Sequence, residues 1–130
     1  RKGMAASLHG LGMISSQAGD KEKAAEHFLE ALQVYQELKD QPGEAGALFQ
    51  LGALAVQMDR VQDGLRLMAL SAVVLRSINS DEVKSIEPVV ERLASQLNYS
   101  QEQFMAMLQE VMRSYVKDRG MGLVKKAWRK

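Results

Sequence analysis

Histidine serves catalysis and metal binding more often than most side chains, and this 130-residue sequence contains two, His9 and His27. A metal site built on helices needs further ligands three or four positions away, typically in a Glu-x-x-His motif. Alanine stands three residues before each histidine, so this motif is absent. Glu26 and Glu30 flank His27, and we interpret the three together as a solvated polar face. We therefore predict no metal site.

The sequence gives little support for nucleophilic catalysis or for nucleotide binding. The sequence has no cysteine, which removes thiolate nucleophiles, thiolate metal ligands and disulfides together. No Ser–His–Asp set stands out. The segment Gly10-Leu11-Gly12-Met13 hints at a dinucleotide loop, but no strand precedes it and the third glycine is missing, so we predict helix packing. Gly120-Met121-Gly122 is better explained as a hinge or helix end. We predict no catalytic residue and no cofactor.

The C-terminal segment 117–130 is basic and leaves two interpretations open. With Leu123, Val124, Ala127 and Trp128 it could form an amphipathic helix that binds anionic lipid or nucleic acid. The alternative, which we favour, is a capping helix whose Trp128 packs on the rest of the chain. The cations, which oppose only Asp118, would then stay in solvent: Lys117, Arg119, Lys125, Lys126, Arg129 and Lys130.

Composition indicates one ordinary globular domain over residues 1–130. The chain is 46% hydrophobic and 25% charged, and its net charge of +1 offers no general electrostatic reason for nucleic-acid binding. It has no apolar run of about 18 residues, so we expect no membrane span. The lack of cysteine fits a cytoplasmic location. Because the sequence does not begin with Met, we expect it to be part of a longer protein.

Apolar residues recur at helical spacing along the whole chain, and no segment alternates as a strand would. Strong helix formers dominate, so we predict an all-α fold. Asp20 and Ser100, the latter with Gln103, are expected to cap helices. Pro88 should kink its helix or delay its start. The predicted helices span residues 2–18, 21–39, 43–58, 61–78, 81–97 and 101–116, with a short basic piece at 123–129.

The same spacing predicts which side chains are buried. In the first helix the apolar stripe is Leu8, Leu11, Ile14 and Ala18. The fourth helix is apolar nearly all round, so we expect neighbours on more than one side. Met105 and Met107 cannot both point inward because residues two apart lie on different helix faces. The remaining core predictions include Phe28, Leu38, Met68 and Met112.

An internal repeat organises these helices. Leu8, Leu11 and Gly12 return as Leu48, Leu51 and Gly52, which is a displacement of 40 residues. At the same displacement, the small–bulky–small set Ala24, Phe28 and Ala31 corresponds to Gly64, Met68 and Ser71. A frame of this kind is typical of stacked helical hairpins.

These motifs resemble the tetratricopeptide repeat, in which a bulky residue and Leu-Gly on one helix face small–bulky–small positions on the next. The usual closing proline is absent, and the repeat is six residues longer (40 − 34) than the usual 34. The resemblance implies a right-handed α-α superhelix of antiparallel helix pairs. Repeat one would cover residues 2–40 and repeat two residues 42–80. Residues 81–130 would form a degenerate pair and capping helices, loosely similar to the helical C-terminal ends of bacterial signalling ATPases and transcription activators.

The resemblance also implies a partner-binding concave face, lined by one side of each first helix. The electrostatic clamp for a peptide C-terminus needs Lys, Arg and Asn, and none stands at these positions. A mildly apolar face suits a helix or an extended apolar peptide. Alternatively, another part of the same chain fills it. The predicted site residues are His9, Met13, Ser16, Gln17, Phe49, Ala53, Val56 and Gln57, with Ala6 and Gly46 beside them.

From these observations we predict a non-catalytic scaffold that binds a protein or peptide within a larger, bacterial signalling or regulatory protein. One alternative is a self-association module, in which uncovered end faces of the repeat pair with another copy. A second alternative is attachment to membrane or nucleic acid through the basic segment 117–130.

Overall fold

The computed structural model describes residues 2–128, with side chains from Gly3 onward, so Arg1, Arg129 and Lys130 lie outside the description. Within this part of the chain every regular element is a helix, which confirms the all-α class. Neighbouring helices pack in pairs, whereas the handedness of the array stays a prediction. The helices are α1 (Lys2–Gln17), α2 (Lys21–Leu38), α3 (Gln41–Gln57), α4 (Val61–Ser77), α5 (Val83–Gln96), α6 (Gln101–Asp118) and α7 (Met121–Trp128).

Short connections with one recurring hydrogen-bond pattern end these helices. After α1, Gly19 N–H donates to Ser16 C=O at 3.0 Å, and Asp20 N–H donates to Ser15 C=O at 2.9 Å. This is the Schellman arrangement, which closes a helix through a left-handed residue. Such short connections favour antiparallel neighbours, and α1 with α2 and α3 with α4 make the most extensive helix–helix contacts. Positive φ angles recur at Gly19, Lys39, Asp59, Asn79 and Asn98, and then at Arg119 and Gly120.

The predicted caps are present, and the helix starts differ from prediction where Pro residues intervene. Asp20 accepts from Lys23 N–H at 3.1 Å, and Ser100 with Gln103 forms a capping box. Asp40 caps α3, which therefore begins at Gln41 with Pro42 in its first turn. Helix α5 begins at Val83 rather than at residue 81, with Pro88 inside it.

Helices α1 and α2 form the first hairpin, and α3 and α4 form the second. In each hairpin the two helices meet where a glycine faces a bulky side chain. A Cβ placed on Gly12 would lie 2.8 Å from Phe28 Cε1. A Cβ placed on Gly52 would lie 2.9 Å from Met68 Cγ and equally close to the Gly64 carbonyl oxygen. Residues displaced by 40 therefore make equivalent contacts. Any larger side chain at either glycine would push the paired helices apart.

Helix α4 lies at the centre of the molecule. It contacts α3, α5, α6 and α7, as its uniformly apolar sequence predicted. Leu65, Leu67 and Leu70 are fully buried within it. Ser71 is buried as well, and its Oγ donates to the Ala45 carbonyl oxygen of α3 at 2.8 Å, so this polar group is satisfied.

Several predicted core positions are wrong. Leu11 is 46% exposed and Ile14 is 63% exposed, and Ala18 is also exposed, because no helix covers this side of α1. Leu38 lies at the end of α2 and is exposed. Met112 is 55% exposed because it lies at the edge of an open cavity between α4, α5 and α6 and not in the packed core. The predictions for buried Phe28 and Met68 are confirmed, and of Met105 and Met107 only Met107 is buried.

Replacing Phe28 with Ala should lower the free energy of unfolding by about 3–5 kcal/mol, because it empties the space behind Gly12. The matched control, Leu11→Ala, should cost about 1 kcal/mol or less, since the Leu11 side chain is already half in solvent. Urea unfolding followed by circular dichroism measures both. Equal losses in the two variants would show that the assigned core is wrong.

Candidate functional site

The predicted concave face lies on α1 and α3, and its apolar side chains are partly buried against the core. Met13, Phe49, Ala53 and Val56 are half-buried and pack against core residues. Val56 also faces α4, because a Cβ on Gly64 would lie 2.6 Å from its Cγ2. Ser16 is half-buried, and Gln17 and Gln57 are exposed. This face offers fewer free apolar atoms than the sequence suggested, and its role in binding stays a prediction.

His9 belongs to an aromatic cluster. Its ring meets Phe28 edge-on at 5.2 Å between centroids and Tyr35 at 6.3 Å. Helix α3 approaches the same ring, since a Cβ on Gly46 would lie 3.6 Å from His9 Cε1. Burial lowers the pKa of His9 below its usual 6.5, because a charged imidazole loses hydration here. Burial, and then the nearby Asp40 carboxylate, raise the pKa of Tyr35.

A buried ion pair fastens the C-terminal helices to the repeats. Glu44 is the one fully buried charged residue of the described chain, and its Oε1 accepts from Arg119 Nη2 at 2.7 Å. This hydrogen bond, followed by the Coulombic attraction, raises the pKa of Arg119. Nearby, Gln41 Nε2 donates to the Tyr115 hydroxyl at 3.3 Å. These contacts join the start of α3 to the end of α6, across more than 70 residues of sequence.

The basic α7 helix packs against α4 and α6, which agrees with the capping interpretation of this segment. Val124 and Ala127 are buried, whereas Lys125 and Lys126 are exposed. The guanidinium of Arg60 sits 5.3 Å from the centroid of the half-buried Trp128 ring and donates to the Ala127 carbonyl oxygen at 3.0 Å. The apolar side of α7 is thus occupied within the chain.

An apolar cavity lies between α4, α5 and α6, and we call it the α4–α6 groove. Its volume is about 270 Å³. An ion pair stands at its solvent side, where Arg76 Nε donates to Glu87 Oε2 at 3.0 Å. That hydrogen bond, and then the charge of Glu87, raise the pKa of Arg76. The apolar walls are formed mainly by Val73, Val90, Phe104, Leu108 and Met112.

One exposed methionine of α6, Met112, belongs to the groove wall, and a second, Met105, lies outside it. Met105 is 50% exposed, and Met112, seven residues later, lies on the same side of the helix. Methionine is common at surfaces that adapt to a partner, because its side chain is flexible and polarisable. Sequence reasoning missed this groove. The available signal was the pair of methionines, Met105 and Met112, two helical turns apart on α6. The inward side of that helix already carries Met107 and Val111.

Within residues 2–128, no group of three or more His, Asp or Glu side chains is placed to hold a metal ion. In the same part of the chain, no helix has the length and hydropathy to cross a membrane. Comparison of the chain with family models, with curated proteins and with solved structures finds no match in any of the three. Function must therefore be argued from the geometry of the chain itself.

His9 makes stability depend on pH. Its pKa is lower in the folded chain than the unfolded value of about 6.5, so between those two values the unfolded chain binds more protons. The stability associated with neutral His9 is full above pH 6.5 and declines as pH falls through the folded pKa. Thermal melting should show a lower midpoint at about pH 5.5 than at about pH 7.5.

His9→Leu should flatten this pH dependence, whereas His27→Gln retains His9 and should keep most of it. A pH dependence that is the same in the wild type and in His9→Leu would contradict the assignment.

The Glu44–Arg119 pair should be asymmetric under mutation. Arg119→Met leaves a fully buried carboxylate without its partner and should cost about 3–5 kcal/mol. Glu44→Gln leaves Arg119, whose side chain is 41% exposed and can reach water, so the cost should be about 1–3 kcal/mol. Urea unfolding of both variants and of the double variant tests this order. An equal cost for the two single variants would contradict the buried-charge argument.

Proposed function

We propose that this chain is a non-catalytic helical-repeat module of the tetratricopeptide type that binds another protein through the α4–α6 groove. The observation that carries the proposal is the apolar cavity between three helices, whose wall includes the exposed Met112. Methionine at the edge of an apolar cavity suits a protein partner, because its flexible side chain adapts to different surfaces.

The dimensions of the groove favour a polypeptide over a small molecule. Drug-sized ligands occupy sites of roughly 300–1,000 Å³, and this cavity of about 270 Å³ is at or below the lower limit. Apolar anchor side chains from an amphipathic helix or an extended segment suit it better. The Arg76–Glu87 pair beside the opening can interact with the polar side of such a segment.

The alternatives have weaker support. Lipid binding through α7 would need a free apolar side, and Val124 and Ala127 already use that side inside the chain. In the described part of the basic segment the exposed cations are Lys117, Lys125 and Lys126, which are too few to carry strong binding to nucleic acid. We also propose that the parent protein is a bacterial signalling or regulatory protein of the cytoplasm. That proposal rests on the loose similarity of residues 81–130 to the helical C-terminal ends of bacterial signalling ATPases and transcription activators, and on the absence of cysteine.

Site-specific photocrosslinking in cell extract tests the proposal. A benzoylphenylalanine residue at position 112 should form a discrete adduct with a partner, and the same residue at Gln96, exposed on α5, should not. Leu108→Glu in the position-112 protein should abolish the adduct by placing a charge in the groove. Circular dichroism must show that this variant stays helical. A second test is Met105→Glu, at an exposed position on the same side of α6.

Adducts that form at position 49 and not at position 112 would show that the partner binds the predicted concave face instead. Phe49→Ala would then weaken binding by about 1–3 kcal/mol. If neither position gives an adduct above the level at position 96, the proposed binding function is wrong.

A further inference from the structure

The outer side of α1, which we call the α1 outer face, carries an inference that is independent of the groove. It consists of Gly3, Met4, Leu11 and Ile14. Gly12 and Gly52 make equivalent contacts within their hairpins, so the face can be compared with its counterpart displaced by 40 residues. The counterpart is Gly43, Glu44, Leu51 and Leu54 of α3.

The two faces differ in what covers them. Glu44, Leu51 and Leu54 are at most 1% exposed, and α2 packs directly against α3. Met4, by contrast, is 52% exposed, and Leu11 and Ile14 are exposed to a similar extent. The side of the helix that α2 helps to bury in the second hairpin therefore stands open in the first.

The sequence of α1 is that of an interior helix. After Lys2 it contains no charged residue through Gln17. Helix α6, at the other end of the molecule, includes Glu102, Glu110, Arg113, Lys117 and Asp118. Terminal units of a helical array need a polar outer side to remain soluble on their own. The outer side of α6 is polar in this way, whereas α1 is uncharged after Lys2.

A glycine shows the shape of the missing neighbour. In the second hairpin, Gly43 makes room for the ring of Tyr35 from α2, which would clash with any Cβ there. Gly3 is its counterpart, and a Cβ at Gly3 would have nothing within 4 Å. The first hairpin thus keeps the glycine that accommodates an aromatic ring, but has no ring on it.

We propose that the α1 outer face binds an amphipathic helix of a partner polypeptide that resembles α2, packed as α2 packs on α3. Its apolar side covers Leu11 and Ile14, and an aromatic residue near its C-terminal end lies over Gly3. Met4 stands where the second hairpin has Glu44, so the α1 outer face is uncharged. The partner helix therefore needs no basic residue to neutralise it.

The probe is a fluorescein-labelled peptide of residues 20–39, which contains α2. A hydrocarbon staple joins positions 26 and 30, both exposed in the structure, to hold the helix. Fluorescence anisotropy with the full chain should show saturable binding. Changing Tyr35 of the peptide to Ala should weaken binding by about tenfold or more, as expected for an aromatic anchor.

Two variants of the chain locate the site. Leu11→Glu places a charge in the interface, and Gly3→Phe places a ring where the partner's ring would lie, at a position whose Cβ would have nothing within 4 Å. Each should weaken binding by about tenfold or more. The matched control is Val116→Glu on α6, a position 86% exposed and remote from this face, which should change affinity by about twofold or less.

Absence of saturable binding up to about 1 mM peptide would overturn the proposal, as would unchanged affinity in both Leu11→Glu and Gly3→Phe. Sedimentation equilibrium without peptide distinguishes a second copy. A dimer that dissociates in Leu11→Glu would make another copy of the chain the occupant, and would also overturn the proposal. The peptide assay does not involve the α4–α6 groove, so failure of peptide binding leaves the proposed function intact. Failure of crosslinking at position 112 likewise leaves the proposal for the α1 outer face intact.

Discussion

The close approach of paired helices through small residues is the constraint on which the rest of the structure depends. Gly12 admits the ring of Phe28, and Gly52 admits Met68 and the backbone at Gly64. Because neither contact leaves room for a Cβ, the two helices of each hairpin pack tightly together. A hairpin packed in this way still leaves apolar surface on its outer sides, and that surface must be buried by the next element or by another molecule.

The two ends of the array meet this requirement differently. At one end, α5, α6 and α7 surround α4, and the buried Glu44–Arg119 pair fastens them to the start of α3. Their outer surface is charged, apart from the groove and the exposed methionines. At the other end, α1 presents uncharged and partly apolar side chains to solvent. The candidate binding surfaces therefore arise where burial within the chain is incomplete, and no catalytic cluster is needed to explain them.

Local chemistry made the helices and their ends predictable. Asp20 and Ser100 cap helices because their side chains bond backbone N–H groups three residues away, and such signals need no knowledge of distant contacts. Periodicity showed which side of α1 is apolar but not what covers it. Leu11, Ile14 and Met112 were accordingly assigned to the core in error.

Long-range pairing was beyond the reach of sequence patterns. Nothing near Glu44 indicates Arg119, which lies 75 positions later, although a single carboxylate in the otherwise uncharged α3 was a usable clue. The α4–α6 groove was missed for the same reason, since three helices form it. The concave face was inferred from a family resemblance, and the structure shows its apolar members partly used in packing.

The central claim is that two equivalent hairpins differ in what covers them, and the solvent accessibility of matched leucine methyl groups tests it most directly. Methyl NMR of the wild-type chain with a soluble paramagnetic agent compares Leu11 with Leu51 in one sample. The Leu11 methyl signals should show strong relaxation enhancement, and those of Leu51, which is fully buried, almost none. Equal protection of the two would contradict the central claim.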